Sequence, residues 1–186
     1  MENIQYKELS LDDINPNLLD TFNRYQKVTK CWQNTDGNWV LVDKEYTDDW
    51  DKNKKNDRTK DFSAIIKDGK GSIFGAFDDG KLIGFTVLLN TKFGTREQYI
   101  QLKYLHVSLE HRHRGIGKEL FRLCVNKAKD TGTEKIYISA NDSEETIKFY
   151  FRVGCRDALE INRECTEEEP FDRQLECCLA DISDTS

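Results

Sequence analysis

The segment Arg112-His113-Arg114-Gly115-Ile116-Gly117, followed by Lys118, lies between an apolar extended run (Ile100 to Val107) and a helical run (Gly117 to Lys129), and no other stretch constrains the chain as much. Two glycines separated by one residue let the backbone turn tightly and approach a ligand without Cβ interference. The helix that follows aims its unpaired N–H groups and the positive end of its dipole at the turn. Strand, glycine turn and helix in this order form an anion cradle, although the glycines alone also fit a plain tight turn. Two phosphate loops of other folds match poorly. The Walker pattern requires glycine where Arg112 stands and Ser or Thr where Glu119 stands, and the dinucleotide fingerprint requires a third glycine at Leu120.

At 186 residues the chain is long enough for one domain with its own core, and residues 1–186 are read as one. With 34 acidic and 28 basic side chains the net charge is -6, which argues against a nucleic-acid or polyanion partner despite the local His111 to Arg114 cluster. A cationic small molecule is the more natural partner. Nothing approaches a membrane-spanning apolar length, and the first residues mix charge with short apolar runs, so a cytoplasmic protein without a membrane partner is expected. The six cysteines contain no C-x-x-C pair, and there are three histidines. Reduced, mostly buried thiols and no metal site are expected.

Along the chain, Ile4 to Leu9 reads as a first strand, followed by a helix through Ile14, Leu18, Leu19, Phe22 and Tyr25 with Ser10 or Asp12 as cap. Val28 to Val42, broken at Asn34 to Asn38, reads as an aromatic hairpin that opens an insertion over about residues 28–66. Tyr46 to Asp61 is highly charged and reads as a solvent-facing loop and helix. Trp32, Trp39 and Trp50 are expected to pack this insertion rather than to cage a substrate. Ser72 to Phe77 and Lys81 to Leu89 form a hairpin about Asp78-Asp79-Gly80, and Glu97 to Val107 adds a third strand to an antiparallel meander. After the helix that leaves the cradle come a short buried strand (Lys135 to Ala140), a helix capped by Ser143 and ending at Gly154, and two strands near Cys155 to Asn162 and Phe171 to Leu179, with an acidic loop at Glu164 to Pro170. The implied class is α/β of the α+β kind, a mixed, mostly antiparallel central sheet of about six to seven strands flanked by helices.

The spacing Arg-x-x-Gly-x-Gly resembles the coenzyme A loop of the GNAT acetyltransferase superfamily. Thr146-Ile147-Lys148-Phe149-Tyr150-Phe151-Arg152-Val153-Gly154-Cys155 resembles that family's second signature, a helix carrying Phe-Tyr and ending in Gly before a strand. The two occur in the family's order, separated by one strand, and the resemblance covers about residues 70–180. It implies a GNAT-like fold, acetyl-coenzyme A as co-substrate and acetyl transfer to an amine. The acceptor expected from the charge is the primary amine of a small cationic molecule. A protein or peptide N-acetyltransferase and a non-catalytic acyl-coenzyme A sensor are the alternatives, and a homodimer is compatible with any of them.

Such a reaction needs a pyrophosphate site, a donor to the developing oxyanion, an acid for the thiolate and an acceptor for the amine's proton. The loop from Arg112 through His113, Arg114, Gly115, Ile116 and Gly117 to Lys118 would hold the pyrophosphate, with side-chain charge from Arg112 and Arg114. The resemblance implies that the backbone of Leu105, His106 and Val107 pairs with the pantetheine arm, that Tyr150 is the general acid, and that Ser143 stands where many relatives carry Asn and either caps the helix or touches the cofactor arm. Histone-acetylating relatives carry a basic Glu at the position of Gln101, and glutamine cannot accept a proton. His106 is a weaker candidate for that base, so a water chain, or a carboxylate brought from Glu97 or from the N-terminal third, has to serve.

Overall fold

The computed structural model describes residues 4–182. Nine strands and four α-helices follow one another as β1 (Gln5–Glu8), β2 (Gln26–Thr35), β3 (Asn38–Asp48), α1 (Lys52–Lys67), β4 (Gly71–Asp78), β5 (Lys81–Leu89), β6 (Tyr99–Val107), α2 (Ile116–Asp130), β7 (Lys135–Ala140), α3 (Glu144–Arg152), β8 (Arg156–Asp157), α4 (Arg163–Glu168) and β9 (Arg173–Cys178). Seven strands join in the order β1-β4-β5-β6-β7-β9-β8, while β2 and β3 pair with each other as a separate ribbon. Every pairing in the larger sheet is antiparallel except β6 with β7, which is the mixed, mostly antiparallel sheet expected from the sequence.

The chain divides into two compact units. One comprises the chain up to Gln26, Asp48–Thr91 and Leu102–Lys127; the other comprises Lys27–Thr47, Lys92–Gln101 and the chain from Ala128. In the first unit, Asp79 and Gly80 take φ of 47° and 73°, the left-handed pair that a two-residue hairpin turn demands, and so fix the register of β4 on β5. One face of β5 presents Phe85 and Val87 to a core with Phe22, Trp50, Phe62 and Ile73. On the other face, Gly84 lets α2 come close, since a Cβ there would lie 3.0 Å from Leu120 and 3.1 Å from Ile116. Asp51 caps α1 by accepting from the Lys54 N–H at 2.8 Å. Thr59, at the end of the charged run that the sequence marks as solvent-facing, joins Phe62 and Ile65 just beyond it in a buried stripe of α1 at helical spacing.

In the second unit, β7 pairs with β6 only over Tyr99–Gln101 and is covered along its length by β9. Tyr99, Tyr137 and Cys165 form a small core. The β2–β3 ribbon turns at Asp36 and Gly37, again with both φ positive (50° and 86°), and joins its unit through the Trp32 N–H on the Asp142 carbonyl at 2.7 Å. All six cysteines are free thiols and five are buried.

Four expected elements differ. The helix through Ile14 to Tyr25 does not form: a 3-10 turn at Leu11–Asp13 is followed by successive i to i+3 turns. Pro16 lacks an N–H, and the Asn15 side chain captures the Asn17 N–H at 3.0 Å, so side-chain bonding displaces the helical ladder while Leu19 and Phe22 still bury. Tyr46 belongs to β3 rather than to a loop. The strand expected at Cys155 to Asn162 shortens to Arg156–Asp157, because Glu160 turns aside to accept from the Thr95 N–H (2.8 Å) and the Gln98 amide (2.9 Å). The acidic loop after it is α4, capped by Asn162 and anchored by buried Cys165.

Candidate active site

The loop after β6 is braced from within its own unit. Arg112 directs Nε to the Val107 carbonyl (2.9 Å) and Nη2 to the Arg24 carbonyl (3.1 Å). Burial, with Arg24 close by, pulls its guanidinium below the usual arginine range. Asn23 adds a second clasp, its N–H on Ser108 Oγ at 2.9 Å and its amide on Glu110 at 2.5 Å. His113 and Gly115 then take φ of 62° and 84°. Gly115 meets nothing where a Cβ would stand, so its requirement is the left-handed backbone rather than space. Its carbonyl accepts from the Glu119 N–H at 3.0 Å, the first bond of α2. Ile116 is 1% exposed and anchors the turn, while His113, Arg114 and Lys118 lie on the surface. The segment from Arg112 to Lys118 carries cations and no carboxylate beside the N-terminus of a 15-residue helix, a set that fits a pyrophosphate.

Leu102 to Val107 pair with β5, with a register shift opposite Val87 and Leu88 that offsets the alternation along β6. Leu105, His106 and Val107 lie beyond the last register pair with β7, Gln101↔Tyr137. Half-buried His106 packs its ring edgewise on Trp50 (5.1 Å) and Phe85 (5.4 Å). Burial, then Arg24, Arg58, Arg112 and Lys54, push the imidazole well below its ordinary range, so it is neutral at neutral pH. Trp50 packs in the core beside Phe22 and Phe85, the packing role expected of it.

In the second unit, Tyr150 sits on the buried side of α3 with Ile147, and its carbonyl accepts from Cys155 N–H at 2.9 Å as the helix closes. Ser143 is 1% exposed and caps α3, Oγ accepting from the Thr146 N–H at 3.4 Å and donating to the Thr146 hydroxyl at 2.8 Å. Sequence reasoning missed the polar group around the loop between β7 and α3. Tyr46 Oη lies 3.2 Å from Asn141 Oδ1 and 3.4 Å from Asp142 Oδ1, and Ser139 Oγ lies 3.1 Å from Asp172 Oδ2. Burial pushes the Tyr46 hydroxyl up, and the thiol of Cys31 beside Asp142 also rises, so both stay protonated. No spacing in the sequence could have found this group, because it draws on β2, β3, β7 and the approach to β9.

The sheet is mostly antiparallel and interrupted by one short parallel pair, and a glycine turn leads from the first strand of that pair into a helix. The model of the Acetyltransferase (GNAT) family matches residues 38–155, more than half of the chain, and the protein belongs to that family. Among solved structures, a candidate streptothricin acetyltransferase of Bacillus anthracis str. Ames, in complex with acetyl coenzyme A, superposes with a TM-score of 0.69 at 16% identity, over 95% of this chain and 98% of that one. A nourseothricin acetyltransferase gives 0.64 at 17% identity over 93% and 95%. The PaiA N-acetyltransferase of Thermoplasma acidophilum, in complex with coenzyme A, gives 0.56 at 15% identity over 95% and 99%. At these identities the likeness is one of fold. None of the curated protein sequences matches the chain.

Proposed function

We propose that the protein transfers an acetyl group from acetyl-coenzyme A to a primary amine of a small cationic molecule. The observation that carries this reading is the loop after β6, where positive φ at His113 and Gly115 turns the chain into the N-terminus of α2 between Arg112 and Lys118. Acetyl-coenzyme A supplies the activated acetyl thioester. The N–H groups of the loop through Gly117 and the charges of Arg114 and Lys118 hold its pyrophosphate, Arg112 sets the loop's shape, and the backbone of Leu105 to Val107 lies along the pantetheine arm. Tyr150 gives its hydroxyl proton to the departing sulfur. Ser143 fixes the start of the helix that carries Tyr150. The net charge of -6 favours a cationic acceptor, and the streptothricin and nourseothricin acetyltransferases of like fold support a small amine over a peptide.

The test is release of free coenzyme A thiol with a panel of polyamines, aminoglycoside-type amines, neutral amines and a lysine-containing peptide. Small cationic amines should turn over fastest. Preference for the peptide would shift the reading to protein acetylation, and cofactor binding without turnover of any amine would mark an acyl-coenzyme A sensor.

A further inference from the structure

Of the six free thiols five are buried, and two of these face each other across neighbouring strands of the second unit. We infer that Cys155 and Cys177 are a site of reversible oxidative modification, where a hydroperoxide converts the thiol pair into a cross-strand disulfide between β8 and β9. This role is independent of the acetyl transfer proposed above.

The strand register brings the two together. Arg156 stands opposite Glu176 and Asp157 opposite Leu175, so Cys155, one place earlier, stands opposite Cys177. The alternation of backbone bonds fixes the kind of pair. The Ala158 N–H bonds to the Gln174 carbonyl at 3.0 Å, which puts Arg156 and Glu176 in a hydrogen-bonded pair and Cys155 and Cys177 in a non-hydrogen-bonded one. The other neighbour of β9 agrees: the Leu179 N–H bonds to the Glu134 carbonyl at 3.0 Å, so the backbone of Cys177, two residues earlier, faces β7. The Cys155 N–H goes instead to the Tyr150 carbonyl at 2.9 Å. At a non-hydrogen-bonded position Cα atoms stand about 4.5 Å apart with both side chains on one face, within the roughly 4.4–6.8 Å that a disulfide spans. The thiols are already in contact, Cys155 donating to the sulfur of Cys177.

The remaining thiols lie elsewhere. Cys178 alternates to the opposite face of β9, Cys124 lies 3.2 Å from the Thr86 hydroxyl, Cys31 lies against Asp142, and Cys165 packs with Tyr99 and Tyr137. Burial shields Cys155 and Cys177 from bulky reagents, yet the strand that covers them is the weakest of the sheet. β8 is two residues long, stands outermost, and carries exposed Arg156 and Asp157 after a turn at Gly154 with φ of 95°. Such an edge opens far more readily than the whole fold, and hydrogen peroxide is scarcely larger than water. Within the pair Cys177 ionises first. The Cys155 S–H bond holds its pKa down against burial, with Arg156 helping, while the same bond and burial push Cys155 up.

In the step itself, the Cys177 thiolate attacks one oxygen of the hydroperoxide. The O–O bond breaks, Cys177 becomes a sulfenic acid, and the departing alkoxide or hydroxide takes up the proton that Cys177 had released. The Cys155 sulfur then attacks the Cys177 sulfur; the S–S bond forms as the S–O bond breaks, and the hydroxide leaves with the Cys155 proton as water. The two thiols give up two electrons, and the hydroperoxide is reduced to an alcohol, or to water, together with that second water. The product ties the end of α3 to β9, because Cys155 follows the Gly154 turn and bonds back to Tyr150. A dithiol reductant reverses the reaction by exchange.

The experiment exposes the folded protein to hydrogen peroxide, quenches it, and then counts thiols after denaturation and maps cross-linked peptides by mass spectrometry. The wild-type protein should show one cross-link, Cys155 to Cys177, which dithiothreitol removes. Cys178→Ser, which takes away the one thiol that is not buried, should lose two of its five remaining thiols and form the same cross-link. Because the bond constrains the unfolded chain, the oxidised protein should melt about 5–10 °C higher than the reduced one. Cys155→Ala should form no internal cross-link and should leave a Cys177 sulfenic acid that dimedone traps; if that variant failed to fold, the map of the wild-type protein would decide alone. Thiols that all survive at peroxide levels that oxidise glutathione would overturn the assignment. So would a cross-link through Cys178 or Cys165 instead, or one that forms only where circular dichroism shows the protein unfolding. None of these readouts depends on acetyl transfer.

Discussion

Arg112 donates Nε to the carbonyl of Val107 across the turn that follows β6, at 2.9 Å, and its Nη2 reaches the Arg24 carbonyl at 3.1 Å. One planar guanidinium thus ties the end of the strand and a neighbouring segment to the start of the loop that leads into α2. Lysine keeps the charge but has a single nitrogen and no fork. Arg112→Lys should therefore lower stability by about 1–3 kcal/mol and weaken coenzyme A binding. Denaturant unfolding and calorimetry measure the two effects, and a variant indistinguishable from wild type in both would show that charge alone matters at this position.

Gly117 stands in the first turn of α2, with ordinary helical neighbours on its C-terminal side. By helix propensity valine is no worse than glycine there, but it places a branched side chain against any ligand on the loop. The folded Gly117→Val protein should lose the rise in melting temperature that coenzyme A gives to wild type. An unchanged ligand-induced shift would remove the loop from the binding site.

Tyr150→Phe keeps the ring that packs beside Ile147 on α3 and removes only the hydroxyl. Turnover should fall by roughly 10²- to 10⁴-fold with little change in acetyl-coenzyme A affinity or melting temperature, because the proton is needed only as charge builds on sulfur. Steady-state kinetics beside a binding measurement separates the two. Near-normal turnover would mean that another donor protonates the thiolate.

Glu176 is fully buried on β9 and accepts from Tyr99 Oη at 2.6 Å, Lys135 at 3.0 Å, Arg156 at 3.0 Å and the Leu159 N–H at 3.3 Å. Burial alone would raise its carboxyl, but these donors outweigh it and bring the pKa down to about 2. The folded value lies below the unfolded one, so its contribution is complete above about pH 4.5 and is lost as pH falls toward 2; a difference of this size corresponds to about 3 kcal/mol. Glu176→Gln should lower stability at pH 7 by about that amount. The loss should shrink on acidification, and a pH-independent difference would contradict the linkage.

The sequence by itself determined most of the scaffold. The Asp79-Gly80 and Asp36-Gly37 turns could be read because only residues that tolerate positive φ close a two-residue hairpin, and Ser143 and Gly154 bound α3 for equally local reasons. The loop from Arg112 to Gly117 was legible because its glycine spacing and the order of strand, turn and helix are contiguous. Competing local bonds were harder to weigh: the Asn15 side chain and Pro16 replaced an expected helix by turns, and Glu160 bent an expected strand away from its partner. Only the tertiary structure decided what the long-range groups do. Arg112 spans to Arg24, Glu176 meets Tyr99, and Asp172 meets Ser139, contacts between residues 33 to 88 positions apart that no periodicity encodes. A carboxylate's hydration, partners and proton affinity come from whatever the fold packs against it, which is why Gln101 could be noticed in the sequence while the surroundings of Asp172 and Glu176 could not be read there.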